Sequence, residues 1–330
     1  MKAVQIHSTG GPEVLQYVDL PTPVPAPHEV LVRAHSIGVG MPEVLVRTGH
    51  YPWMPPLPAV LGIEMSGRVA AIGDAVKTLK VGDPVFVSAR ELAFRGGCYA
   101  QYLVASADAV YLLPVDTDLE LAACLSNYQV AWHLLHSATK GYEFNSVLVW
   151  AAAGGVGTAL VQLAKRAGKR VIGLAGGARK CDFVLAQGAD HCLDYQSVNI
   201  LEAVHSLTDG RGVDLIFDPV GGADFARNID YLAPLGLVVN FGLIKGPVDP
   251  TCIQAMQRRL GDSLALRFFS MHVFDHSPEP RRAAIGALIP MLNEGAIRPP
   301  IFDRLPLQEA RRAHELLEGG QVIGKLLLKP

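Results

Sequence analysis

Short apolar stretches interrupted by polar residues dominate the first 115 residues. KAVQI, EVLVRAHSIGV, GRVAAIG and DPVFVS are separated by the turn-forming clusters PTPVPAP and YPWMPPLP. Brief strands at this spacing predict a β-rich, barrel-like domain. Pro84 near the start of DPVFVS is tolerated at a strand's edge or first position. From about residue 118 the pattern changes. DLELAACLSNYQVAWHLLHSA has helical periodicity, and strands VLVW, RVIGL, VDLIF and LVVNF then alternate with helices near 158–167, 179–187, 198–207 and 223–232. Such alternation predicts a parallel sheet covered on both faces. A short strand (LRFFSM), the helical stretches PEPRRAAIGALIPMLNEG and LPLQEARRAHELLEGG, and a last strand, GKLLLKP, complete the chain. This tail lacks a full core of its own and is expected to pack on the first domain. The expected division is 1–118 with 266–330 for the β-rich domain and 119–265 for the parallel-sheet domain.

Phe144 to Ala164 is a run of 21 residues without a charge, long enough to span a bilayer. Its centre, AAAGGVG, argues otherwise. A spanning helix would have to absorb Gly154, Gly155 and Gly157, at about 1 kcal/mol each relative to alanine. After the glycines, Leu160, Leu163, Ala164 and Ala167 recur at helical spacing, and Gly168 is placed to end the helix. The segment reads as strand, tight turn, helix. The turn Ala151-x-x-Gly154-x-x-Gly157 is a variant of GxGxxG with Ala152 at the first glycine position. Gly154 would let the backbone approach a pyrophosphate, and Gly157 would let helix and strand pack closely. Amides at the helix start would hold the phosphates. A dinucleotide is the expected ligand.

The end of the next strand selects among dinucleotides. An NAD site carries an acid about 20 residues beyond the first glycine, for the ribose 2′-OH. Here the strand ends Gly173-Leu174-Ala175-Gly176-Gly177, and Arg179-Lys180 follow. A small residue leaves room for a 2′-phosphate and a nearby cation would pair with it. NADP(H) is the expected cofactor.

Composition adds exclusions. The 330 residues are 50% hydrophobic with a formal net charge of −2, which gives no general attraction to nucleic acid or an anionic membrane. Five scattered cysteines, without a CxxC pair, fit a reducing cytoplasm better than a disulfide framework. The N-terminus lacks the long apolar core and small-residue cleavage site of an export signal.

Together AAAGGVGTALVQLAKRAG, GARK, GADHCLDY, GVDLIFDPVGG and VVNFG resemble the quinone oxidoreductase branch of the medium-chain dehydrogenase/reductase superfamily. So do IGVGMPEVLVRTGHYP, LPAVLGIEMSGRVAAIG, RGGCYAQY and GKLLLKP. The resemblance covers nearly the whole chain in order. It implies an α/β architecture, a GroES-like catalytic domain split by a doubly wound Rossmann domain, with the active site in the cleft between them. It also implies NADPH-dependent reduction of quinones, or of the C=C bond of enones, alkenals or enoyl thioesters, by a homodimer paired near the LVVNF strand. Some relatives have structural or RNA-binding roles instead, although the acidic balance argues against RNA. By the same resemblance Gly155 and Val156 meet the pyrophosphate, while Gly176, Lys180 and Tyr195 hold the 2′-phosphate. Phe241, Gly242 and Leu243 lie along the nicotinamide. Asn127, Val130 and Lys325 are further cofactor candidates, with Gly320 where some members have an arginine.

Zinc-dependent alcohol dehydrogenases share the resembled fold. Their catalytic metal takes a cysteine at the place of Gly40 and a histidine at the place of Ile63, so Glu64 alone is left and no metal is expected. Hydride then passes directly to the acceptor, whose oxygen needs a hydrogen-bond donor. An asparagine, a tyrosine and a threonine found in relatives are Gly40, Leu45 and Val130 here. Tyr51 matches a retained active-site tyrosine and is the candidate donor, ahead of Asn127, His50 and His272. The loss of polar groups favours a quinone as acceptor.

Overall fold

The computed structural model describes Met1–Pro330. The chain divides into two compact units, Met1–Ser126 with Ser277–Pro330, and Asn127–His276.

In the first unit a seven-stranded sheet is built around Glu29–Val39, which pairs antiparallel with Glu64–Ile72, Tyr102–Ser106 and the final strand Lys325–Lys329. Arg33 and His35 point out of an otherwise buried strand, the period of two expected for a sheet with one wet face. Beyond Ser36 both faces are covered and every residue to Val39 is buried. The closing GKLLLKP segment therefore returns to the first domain, with Leu328 opposite Ile37 and Leu326 opposite Val39. Pro84 opens its strand, where no ladder hydrogen bond is lost. The core gathers Val30, Val32, Ile37, Met65, Val85, Leu326 and Leu328.

The returning chain is also fastened by charge. On helix Glu279–Asn293, Arg281 Nε lies 3.1 Å from Glu91 Oε1, and both side chains are no more than 5% exposed. Tyr111 Oη donates to the same carboxylate at 3.0 Å.

In the second unit six parallel strands run in the spatial order His191–Asp194, Arg170–Ala175, Ser146–Val149, Val213–Asp218, Leu232–Asn240, Ala265–Phe268. Numbered by sequence that order is 3-2-1-4-5-6, a doubly wound sheet whose direction of growth reverses at Ser146–Val149. The four inner strands are apolar runs that the pattern reveals. The two outer ones, HCLD and ALRF, are only half-buried and carry no such run. One consequence bears on the expected boundary after 265. Ala265–Phe268 pairs with Leu232–Asn240, Leu237 facing Ala265 and Asn240 facing Phe268, so the strand anticipated in the tail extends the parallel sheet.

The uncharged run 144–164 is divided as its glycines require, into strand Ser146–Val149, a turn, and helix Gly155–Arg166. No helix of the chain is long and apolar enough to cross a membrane.

Breaking a buried ion pair leaves one charge unsolvated, at a cost of roughly 3–5 kcal/mol. Arg281→Met is expected to lower unfolding free energy by about that amount in urea titrations, through the Glu91 carboxylate left buried without its counter-charge.

Candidate active site

In the second unit the glycine turn 154–157, Gly176, Tyr195 and residues 241–243 follow the carboxyl ends of the strands. Gly154 is extended (φ −82°, ψ 174°) and no side chain caps the helix that starts at Gly155. The first-turn amides of Gly155, Val156 and Gly157 thus have neither an intrahelical acceptor nor a side-chain one. A Cβ on Gly157 would lie 2.2 Å from Ala151 O and 2.7 Å from Ala152 Cα, so only glycine permits this approach of helix to turn. Around Gly154 the nearest atom to an added Cβ is Ala151 O at 3.3 Å, which leaves its outer side open. Ala152, at the first glycine position of the motif, is fully buried; opposite it Gly173 makes room, for a Cβ there would approach the Ala152 methyl to 3.0 Å.

At the end of the second strand a Cβ on Gly176 would stand 2.6 Å from Tyr195 Oη. Gly176 and Tyr195 are therefore neighbours. The Tyr195 ring is 44% exposed, with its centroid 6.1 Å from that of Trp150. Lys180 sits half-buried in the first turn of helix Ala178–Ala186, and Arg179 is exposed. Sequence reasoning missed Asp194, an acid at the end of the third strand. Its Oδ1 accepts from the amides of Gly177 (2.9 Å) and Gln196 (3.0 Å), and its Oδ2 from Ser197 Oγ (3.0 Å). The Gly177 amide first, then that of Gln196, hold this carboxyl below its usual range. Asp194 fixes the turn and has little left to offer a ribose.

A second group was equally hidden. Trp150 Nε1 donates to Asn228 Oδ1 (2.7 Å), Asn228 Nδ2 to Asp218 Oδ2 (2.6 Å), and the Val220 and Gly221 amides to Asp218 Oδ1. Asn240 Nδ2 bridges Asp218 O and Gly242 O. This network binds together the turns after the first, fourth and fifth strands and fixes Gly242, which abuts Pro219; Phe241 is half-buried and Leu243 exposed. Burial raises the Asp218 carboxyl above its ordinary value against the pull of those donors. Asn127 and Val130 lie one turn apart on helix Leu125–His136, both half-buried on one face.

In the first unit Gly40 and Met41 begin a helix, Met41–Thr48, that Gly49 ends in the left-handed region (φ 79°). Tyr51 follows, its amide on Leu45 O and its ring edge-on to Trp53 at 5.8 Å. It lines a recess with Pro42, Ile63, Ala89, Arg90 and Arg95. His50 is exposed and bonds Thr48 Oγ1, while His272, in the other unit, bonds Asp275 Oδ2. A wider surface depression, at Lys77–Lys80 and Leu112–Val115, contains none of the expected residues.

Behind the recess three charged groups are buried together. Glu64 Oε1 lies 2.5 Å from Lys325 Nζ, and its Oε2 accepts from the Ser126 amide at 2.9 Å. Glu43 Oε1 accepts from the Ile63 amide at 3.1 Å, whereas Oε2 is buried without a partner. Lys325, expected among the cofactor residues, is paired with Glu64, its side chain 4% exposed. Burial pulls its ammonium down, but Glu64 and Glu43 outweigh this and hold it above the ordinary lysine value. With Gly40 and Ile63 at the two other ligand places and Glu64 taken by an ammonium, these residues do not make a zinc donor set. Nowhere do three His, Cys, Asp or Glu side chains converge as metal ligands.

A Rossmann sheet with a glycine turn, in a chain whose other unit is a β-rich barrel, defines the class of nucleotide-dependent dehydrogenases and reductases. Residues 26–115 match the family described as "Alcohol dehydrogenase GroES-like domain", and 155–269 match "Zinc-binding dehydrogenase". The chain is 34% identical to quinone oxidoreductase of Pseudomonas aeruginosa, covering 100% of this chain and 99% of that one. It is 31% identical to the human protein of the same name, over 99% and 97%. Escherichia coli quinone oxidoreductase, solved in complex with NADPH, superposes with a TM-score of 0.90 at 32% identity and complete coverage of both chains. The chain belongs to the quinone oxidoreductase family.

Burial raises Glu43 to about 7. Between its ordinary value of 4.5 and about 7 the folded chain keeps a proton that the unfolded chain has lost, so stability falls as pH rises through that window. Glu43→Gln is expected to flatten this slope and to leave the variant more stable than the parent above about pH 8, by up to roughly 3 kcal/mol. Urea unfolding at about pH 5 and about pH 8 measures both.

Proposed function

We propose that this protein is an NADPH-dependent oxidoreductase that reduces a quinone to its hydroquinone. The observation that carries the reading is the end of the second Rossmann strand. Gly176 lies against Tyr195, no acid stands there, and the acid nearby, Asp194, is occupied by turn amides. That arrangement suits a 2′-phosphate and repels nothing negative. The quinone oxidoreductase relatives, and the E. coli enzyme solved with NADPH, support the same reading. When bound, NADPH supplies two electrons and a hydrogen nucleus as hydride and leaves as NADP+, and one proton from water completes the hydroquinone.

In this reading the chain orients and insulates. Gly154, Gly155, Val156 and Gly157 present the uncapped helix start to the pyrophosphate. Gly176, Lys180 and Tyr195 receive the 2′-phosphate. Phe241, Gly242 and Leu243, on the turn fixed by Asn240, line the nicotinamide, as do Asn127 and Val130. Tyr51 offers its hydroxyl to the acceptor oxygen. The reaction uses no metal, since Lys325 already neutralises Glu64. A cytoplasmic setting belongs to the same proposal, and the five unpaired cysteines support it.

A turnover screen with NADPH and NADH against quinones, enones and enoyl thioesters tests the assignment. Quinone reduction with NADPH preferred is the expected result. Turnover of enones or thioesters alone would move the chain to C=C reduction, and NADPH binding with no turnover would make it a binding protein. Lys180→Ala is expected to weaken NADPH about tenfold and NADH hardly at all, as the loss of a hydrogen bond to a charged group requires.

We further infer a homodimer. The expected edge, LVVNF, is an interior strand because Ala265–Phe268 covers it. That outer strand ends the sheet with Phe268 64% exposed, an edge suited to pairing with its own copy. Sedimentation at micromolar concentration is expected to give a dimer, and Phe268→Glu a monomer; a monomeric parent chain would overturn this.

A further inference from the structure

The recess that holds Tyr51 also contains Arg90. Arg90 occupies a short 3-10 turn, Ala89–Glu91, where its amide donates to Ser88 Oγ. The neighbouring acid, Glu91, would be its obvious partner, but Glu91 is turned to the other side. Its Oε1 accepts from Arg281 Nε (3.1 Å) and Tyr111 Oη (3.0 Å), and its Oε2 from Arg281 Nη2 (3.3 Å). Arg281 Nη2 also takes the Arg90 carbonyl at 3.2 Å, which locks the turn. Of the other acids nearby, Glu64 is taken by Lys325 and the Ser126 amide, and Glu43 accepts from the Ile63 amide through Oε1 alone. Arg90 makes no ion pair with any of them, and its Nη1 is buried without a hydrogen-bond partner.

A buried guanidinium N–H without an acceptor costs free energy unless something fills its place. Burial draws Arg90 below its ordinary value, and the nearby Tyr51 is the strongest influence acting to restore it. The recess between Pro42, Tyr51, Ile63, Ala89, Arg90 and Arg95 has a volume of about 10 Å3, which admits about one oxygen-sized atom. The recess that Arg90 helps to line thus matches an oxygen in size, and the guanidinium that lines it is positively charged.

We infer that Arg90 is the cation that receives the acceptor's oxygen, with Tyr51 as its hydroxyl partner. This rests on the quinone reading. Hydride transfer to one carbonyl oxygen of the quinone forms an O–H bond, breaks that C=O π bond as the ring becomes aromatic, and leaves the hydroquinone monoanion, with its negative charge on the other oxygen. Arg90 holds that oxygen until a proton from water converts it to the hydroxyl. A guanidinium suits the task because it stays charged throughout and directs planar N–H groups at one oxygen. The turn that carries it is held by the Arg281 hydrogen bond to the Arg90 carbonyl, so its backbone need not move as the charge appears.

The test uses the full chain and two readouts. With NADPH and an uncharged 1,4-benzoquinone, R90M is expected to lower kcat about a hundredfold, with NADPH affinity, measured by fluorescence, unchanged. Added ethylguanidinium should restore part of the rate in R90A. Independently of turnover, 4-nitrophenol serves as a mimic of the hydroquinone monoanion. The parent chain should bind it as the phenolate, seen by its visible absorption, below the pH at which it ionises in solution; R90M should not. Unaltered kcat and unaltered phenolate binding in R90M would overturn the assignment while leaving quinone reduction intact. Arg90-dependent phenolate binding without quinone turnover would keep the anion site and remove the quinone reading. If R90M fails to fold, R90K reads the same quantities, since a lysine keeps the charge but not the fork; wild-type values in R90K would then count against Arg90.

Discussion

The contact on which the first unit most depends is the buried pair of Glu64 and Lys325. One carboxylate gathers three remote parts of the chain: the strand that begins at Glu64, the final strand that begins at Lys325, and the first turn of helix Leu125–His136 through the Ser126 amide. A carboxylate at a helix start is favoured by the helix dipole, and here it is also hydrogen-bonded and paired, as a buried charge must be. Glu43 makes the cluster over-acidic, with two carboxyls and one ammonium. Its raised protonation follows from its own burial, which outweighs the opposing pull of Lys325. The cost is confined to the wall of the Tyr51 recess, where Ile63 is shared between the cluster and the cavity.

The second unit is organised by backbone rather than charge. Gly157 sets how near the helix can come, Asp218 and Asn240 hold the turns, and Asp194 holds Gly177. The catalytic requirement is modest, because the cofactor carries the electrons and the chain supplies fixed dipoles, shape and exclusion of water.

Much of this was legible in the sequence because it is local. VLVW and the three glycines declare strand, turn and helix within a dozen or so residues, and the absence of an acid after RVIGLA is visible by counting. Tyr195 was reachable only through family resemblance, since nothing in its neighbourhood announces a ring beside Gly176. The half-buried strand HCLD escapes the pattern because a sheet's outer member needs no continuous apolar run, whereas LRFFSM reads as a strand but nothing local says which sheet it joins. The Glu43, Glu64 and Lys325 cluster escaped because its members are far apart in sequence, and GKLLLKP reads as a strand whose lysine belongs in solvent. Arg90 is hidden because nothing local shows that Glu91 beside it turns away to Arg281.

The contact between Gly176 and Tyr195 has an evolutionary corollary. Acquiring an acid at position 176, the simplest route to a ribose-binding site for NADH, would drive a Cβ to 2.6 Å from the Tyr195 hydroxyl and 3.1 Å from Gln196 Nε2. The aromatic side chain would have to shrink or move in the same lineage before that acid could be accommodated. Coenzyme choice in this chain therefore couples position 176 to its neighbours: an acid there has first to displace the ends of the Tyr195 and Gln196 side chains.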